Sequence, residues 1–152
     1  MEIREDDLTS APTQALLRIH LAGMNAHSPP GHVFALDLSG LRASGVTVWS
    51  AWAGREILGI AALRRFDAVT GEVKSMRTHP EHLRKGVAAA LLDHIISRAL
   101  ETGLKRLSLE TGSGPAFEPA LQLYRKRGFL NGEPFGEYAA SEFNQFLHLR
   151  LD

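Results

Sequence analysis

Val73 to Leu92 reads VKSMRTHPEHLRKGVAAALL: a strand-like run, a short polar loop interrupted by Pro80, then Arg84-Lys85-Gly86-Val87-Ala88 opening a long amphipathic helix. A glycine and small residues at a helix start leave backbone N–H groups unpaired. With two cations just ahead of them, those donors present positive potential to solvent, which is what a phosphate ester requires. The stretch therefore predicts a phosphate-binding turn between a strand and a helix. Neither the GxxxxGK[ST] nor the GxGxxG spacing is present, so the nucleoside-triphosphate and dinucleotide loops with those signatures are excluded.

Working outward, the helix from about Lys85 carries Val87, Ala88, Leu91, Leu92, Ile95, Ile96, Ala99 and Leu100 on one continuous face, with Gly103 placed to end it. Upstream, Val46–Trp52 and Glu56–Leu63 are rich in branched and aromatic residues and are joined by Ala53-Gly54-Arg55, which predicts an antiparallel hairpin. A turn at Asp67–Gly71 leads into a strand over Glu72–Thr78. Downstream, Leu107 and Leu109 alternate with Ser108 and Glu110, a strand with one face on the core. A Gly112–Pro115 break precedes a helix through Tyr124 that ends at Gly128, and Leu147, Leu149 and Leu151 mark a final strand. At the other end, Met1–Arg4 is a short edge strand. Ser10 and Pro12 then start a helix with Leu16, Leu17, His20, Leu21 and Met24 at helical spacing, which His27 to Gly31 breaks. The segment through Leu41 reads as a short helix or folded loop. The class is α+β, with mostly antiparallel hairpins and no regular βαβ repeat.

The bulk composition narrows the partners. The 152 residues fit one domain, spanning 1–152. Seventeen basic and seventeen acidic residues give no net field for nucleic acid or anionic lipid. With no cysteine, disulfides, thiolate metal sites and a cysteine nucleophile are excluded. The charged start MEIREDDL and the lack of a long apolar run predict neither signal peptide nor membrane span, hence a cytoplasmic protein. His79 and His82 form an isolated i, i+3 pair without a ligand cluster, so no metal is expected.

The turn at Arg84–Ala88 and its flanks resemble the central motif of the GCN5-related N-acetyltransferases (GNAT), a strand, a Pro-containing loop and a Q/R-x-x-G-x-G/A turn. Gly86 and Ala88 fall on the two small positions, and Leu83 replaces the Q/R. Ala120-Leu-Gln-Leu-Tyr124-Arg-Lys-Arg-Gly128-Phe129 is similar to the family's N-x-x-A-x-x-L-Y-x-x-x-G-F helix, with Phe117 at the Asn position. The resemblance covers about residues 46 to 130. It implies the GNAT fold, a twisted, mostly antiparallel sheet of six or seven strands whose fourth and fifth strands splay, flanked by about four helices. It also implies acetyl-coenzyme A as cosubstrate. The pyrophosphate would lie on the amides of Arg84, Lys85, Gly86, Val87, Ala88 and Ala89, and Arg84 or Lys85 would supply charge. The pantetheine arm would lie on the backbone of Met76, Arg77 and Thr78.

On the same resemblance Tyr124 is the acid for the leaving thiolate. Ordinary pKa values of about 10 and 8.5 make full proton transfer uphill by roughly 2 kcal/mol, so the phenol acts in part as a hydrogen-bond donor. Three residues are candidates for a base: Glu72, which shares a strand face with Lys74 and Met76; Glu110, at the end of the next strand; and His79, before the phosphate turn. A water relay, or an amine that arrives neutral, is the alternative to all three. An acceptor pocket is expected from the first helix, Pro29–Leu41 and Phe135–Phe143, with His27, His32, Phe34, Asp37 and Tyr138 as lining. The implied reaction is acetyl transfer to the primary amine of a small molecule by direct attack. A protein or peptide acceptor, and a noncatalytic acyl-coenzyme A-binding regulatory module, are the competing readings. The C-terminal strand, read as exposed, and the aromatic segment near Phe135 suggest a homodimer.

Overall fold

The computed structural model describes residues 1–32 and 37–152. Seven strands form one sheet in the order β1-β2-β3-β4-β5-β7-β6: β1 Glu2–Glu5, β2 Val46–Ala53, β3 Glu56–Arg65, β4 Thr70–Thr78, β5 Arg106–Thr111, β6 Leu130–Asn131 and β7 Gln145–Arg150. Every neighbouring pair is antiparallel except β4 and β5, which run parallel. The mixed sheet with helices on both faces is the α+β architecture expected.

Helix α1 spans Ala11–His27 and begins where Ser10 accepts a hydrogen bond from the Thr13 amide. With the one-turn α2, Leu38–Leu41, it covers a face built from Val48, Trp52, Ile60 and Ala62. Helices α3, Val87–Glu101, and α4, Glu118–Lys126, cover the opposite face through Leu91, Leu92, Ile95, Leu121 and Tyr124 against Trp49, Ala51, Ala61 and Leu63. At the end of α3 the Leu104 amide reaches back to the Ala99 carbonyl and Gly103 takes φ +82°, the glycine-terminated stop anticipated from sequence. Leu100, placed on the apolar face by periodicity, is instead 52% exposed at the last turn.

Two further departures concern the strands. Strand β5 is buried on both sides, since Ser108 is 1% exposed opposite Leu107 and Leu109. Its hydroxyl is satisfied by His148 Nδ1 at 2.7 Å, which is how a polar residue occupies an interior position. Strand β7 is not an edge. It lies between β5 and the two-residue β6 with Phe146 and Leu147 buried, so the C-terminal strand is not the exposed edge read from sequence. Phe135 likewise packs inward, its ring 5.1 Å from Tyr138 and 5.9 Å from Phe146.

The feature that creates a site is the junction of β4 and β5. Their parallel ladder pairs only Thr70, Gly71 and Glu72 with Arg106, Leu107 and Ser108, and then the strands part. At the same place β4 carries a bulge, because Ile60 pairs with Arg77 and Ala62 with Lys74, leaving Ser75 and Met76 opposite Ala61. Ser75 adopts φ +54°, unusual for a residue with a Cβ.

Candidate active site

The bulge reverses the side-chain alternation of β4. Met76, expected beside Glu72 and Lys74, turns to the α3 and α4 face and joins the core there. Arg77 takes its place on the α1 face. Glu72, Lys74 and Arg77 from β4 and Glu110 from β5 then line a cleft of about 170 Å³ at the splay, roofed by His20, Gly23, Met24 and His27 of α1 and bounded by Phe117, Ala120 and Tyr124. Of the residues assigned from sequence, Tyr124, Glu72, Glu110, Met76, Arg77 and Phe117 line this one cleft. His79 is not among the lining residues; its Nδ1 accepts from the Glu81 amide.

Of the residues assigned to an acceptor pocket, His27 lies in the lining, while His32, Asp37 and Tyr138 do not. Asp37 caps α2 through the Gly40 amide, His32 lies edge-on to Phe143, and Phe34 falls outside the described residues. Tyr138 stands one layer behind. Its hydroxyl donates to Glu72 Oε2 at 2.5 Å and accepts from Lys74 Nζ at 2.7 Å, and Lys74 also lies 3.3 Å from Glu72. Burial, and then the Glu72 charge, push the Tyr138 phenol far up, so it stays a donor. Glu72 is 1% exposed, and its Oε1 has no hydrogen-bond partner among the described residues.

Glu110 has the opposite character. Burial pushes its carboxyl up to about 7, Lys74 and an Asn144 hydrogen bond pull it down, and the Glu72 charge adds to the rise. A carboxylate poised near neutrality can take a proton and give it up again. Tyr124 is 7% exposed, and burial raises its phenol to about 12. Against a thiol near 8.5, complete proton transfer would be uphill by about 5 kcal/mol, so the hydroxyl keeps its proton and is able to donate a hydrogen bond.

The turn behind the cleft leaves backbone donors unpaired at the start of α3. Arg84 and Gly86 both adopt left-handed backbone, φ +62° and +80°, and Gly86 precedes the first turn of α3. No side chain caps this end among the described residues, and Ala90 is the first residue whose amide reaches back, to Gly86. The amides of Val87, Ala88 and Ala89 precede it and are left for an outside acceptor. Arg84 and Lys85 are exposed, but Lys85 Nζ lies 3.0 Å from His82 Nδ1, whose other ring nitrogen meets Glu56 at 3.2 Å. Arg84 is therefore the better placed of the two to supply charge. Leu83 is 59% exposed and contributes no polar group. Phe117 holds the position just before α4 without a side-chain cap, its ring packed 5.5 Å from Phe143. The ligand atoms of His79, Glu81 and His82 lie within 4.8 Å of one another, with His82 already engaged by Lys85 and Glu56.

Sequence reasoning missed His20 and Lys74 as cleft residues and Asn144 behind it. The apolar periodicity of α1 placed His20 on the buried face but said nothing of its partner. Arg77 was assigned by its backbone alone, because nothing in KSMRT marks a bulge.

A splayed parallel pair, an uncapped glycine-led helix start beside it and a buried tyrosine across the opening thus lie together at one place in the fold. The description "Acetyltransferase (GNAT) family" matches residues 13–129, and the chain belongs to that family of acetyltransferases. It is 47% identical over 151 residues to the Bacillus subtilis (strain 168) protein named uncharacterized N-acetyltransferase YsnE, covering 99% of this chain and 100% of that one. In fold it superposes on a structure from Klebsiella pneumoniae subsp. pneumoniae MGH 78578, described as an acyl-CoA N-acyltransferase. There the TM-score is 0.83 and the identity 24%, covering 99% of this chain and 97% of that one. A GNAT family acetyltransferase from Elizabethkingia anophelis, solved with acetyl-CoA bound, matches at TM-score 0.71 and 20% identity over 99% of this chain and 97% of that one. No helix among the described residues is long and apolar enough to cross a membrane.

Proposed function

We propose that the protein transfers the acetyl group of acetyl-coenzyme A to the primary amine of a small molecule, by direct attack in the cleft between β4 and β5. The observation that carries this reading is the shared lining of one small cleft by Tyr124 and Glu110, whose shifts suit a hydrogen-bond donor to sulfur and a base at neutral pH. The residues present fit the carrier. Three unpaired amides and the exposed Arg84 suit its pyrophosphate, and the edge of β4 beyond Glu72 has no strand pair on the β5 side to compete with a pantetheine arm. Bound acetyl-coenzyme A supplies a thioester whose C–S bond breaks as the amine forms a C–N bond.

Each other task falls to the chain. Glu110 takes the proton that the attacking nitrogen loses, and its value near 7 keeps much of it ionised at neutral pH. Backbone groups of Met76, Arg77 and Thr78, at and just beyond the bulge, orient the carbonyl. Tyr124 donates its O–H to the sulfur as negative charge develops there. Glu72, fixed by Tyr138 and Lys74, sets the local charge beside Glu110. The size of the cleft and its roof of α1 side chains favour a small acceptor over a polypeptide. Thiol release with purified protein, acetyl-coenzyme A and a panel of small amines tests the reading. Release that depends on the amine supports it, and binding of the carrier without release across the panel contradicts it.

A further inference from the structure

Arg77 enters the cleft because the bulge at Ser75 and Met76 turns it onto the α1 face. Its Nε donates to His20 Nδ1 at 3.0 Å. His20 is 4% exposed and is held down to about 4 by burial and then by the Arg77 charge, so it accepts this bond as a neutral ring. The end of the guanidinium lies against Gly23, where an added Cβ would stand 3.0 Å from Nη2 and 3.4 Å from Nη1. Glycine in the middle of α1 therefore leaves room for the guanidinium, against its own low helix propensity.

What Arg77 lacks is an anion. No ion pair includes it among the described residues, and burial lowers its affinity for its own proton. Of the two acids in the lining, Glu72 is engaged by Lys74 and Tyr138, and Glu110 is pushed toward neutrality. A half-buried cation without a counter-charge is unfavourable to folding, and an arrangement of this kind is accounted for when a ligand completes it.

We propose that the acceptor is a small amino acid, whose carboxylate is held by the guanidinium of Arg77 while its amine reaches Glu110. The planar fork of Arg77, braced by His20 through Nε, leaves its terminal nitrogens for a carboxylate. A phosphate or phosphonate monoester carries more charge than this one unpaired guanidinium balances, because the neighbouring Lys74 is already bonded to Glu72 and Tyr138. The inference rests on the acetyl-transfer reading above and adds to it the anionic half of the acceptor.

The test compares matched acceptors on the unaltered protein with saturating acetyl-coenzyme A, reading thiol release. Each pair is an amino acid and its primary amide, from glycine and alanine through β-alanine and 4-aminobutyrate, with aminomethylphosphonate and simple alkylamines alongside. In at least one pair the acid is expected to exceed the amide in kcat/KM by about thirtyfold, mostly in KM, as befits one charge-assisted contact. Arg77→Gln is expected to shrink that ratio below about threefold, while Arg77→Lys keeps part of it. Equal rates for acid and amide, a preference for aminomethylphosphonate, or release with alkylamines alone would overturn the inference and leave the transfer reading standing. Release with no amine at all would overturn both. Should Arg77→Gln fail to fold, the acid-to-amide comparison on the unaltered protein decides the matter.

Discussion

The hydroxyl of Tyr124 donates to the sulfur of Met76 across 3.9 Å, so the phenol that bounds the cleft already rests against a sulfur atom supplied by the strand bulge. This contact is weak, and a thiolate in the same place would be a far better acceptor. Tyr124→Phe is therefore expected to lower turnover at least about tenfold, while thermal unfolding changes by less than about 1 kcal/mol because only the Met76 contact is lost. Unchanged turnover would remove Tyr124 from the mechanism.

On the proposed mechanism Glu110 sets the pH dependence. The ionised form accepts the proton, so kcat is expected to rise with pH around a midpoint near 7, and Glu110→Gln to abolish that midpoint and lower kcat about a hundredfold or more. Stability moves the other way. The folded value lies above the ordinary 4.5, so the protonated carboxyl favours the folded state, fully below about pH 4.5 and progressively less as pH rises through 7. Denaturant melts at pH 6 and pH 8.5 should show Glu110→Gln losing less stability across that interval than the unaltered protein.

Glu72 and Glu110 separate in a single experiment. If Glu72 acts by its charge, Glu72→Gln removes a contribution that raises Glu110, and the activity midpoint shifts to lower pH with turnover retained in part. Loss of all activity with an unmoved Glu110 would make Glu72 the base.

Gly86 tests the anion site. An alanine Cβ meets nothing within 4 Å, so Gly86→Ala acts through its φ of +80° and through obstruction of an approaching phosphate. Backbone strain of about 1 kcal/mol is expected in unfolding, together with a rise of about tenfold or more in KM for acetyl-coenzyme A as the amides are displaced.

Much of this was readable beforehand. The periodicity of α3, the hairpin of β2 and β3 and the glycines at 86 and 103 are local signals, and each element lies where they point. The splay between β4 and β5 and the approach of Tyr124 to it followed from family resemblance rather than from any local pattern. The bulge was illegible because Ser75, not glycine, takes the left-handed conformation. The sequence therefore put Met76 where Arg77 stands. The pairings of Arg77 with His20 and of Glu72 with Tyr138 join residues 57 and 66 positions apart, and no pattern within one element encodes them. The shift of Glu110 has the same origin, in burial and in charges brought from another strand.

The most direct test of the central claim is a crystal structure with coenzyme A bound. The account predicts pyrophosphate oxygens within about 3 Å of amides among Gly86–Ala89, the pantetheine arm along β4 at Met76–Thr78, and the sulfur in place against the Tyr124 hydroxyl. A pyrophosphate seated away from the α3 start, or a sulfur on the far side of the sheet from Tyr124, would contradict it.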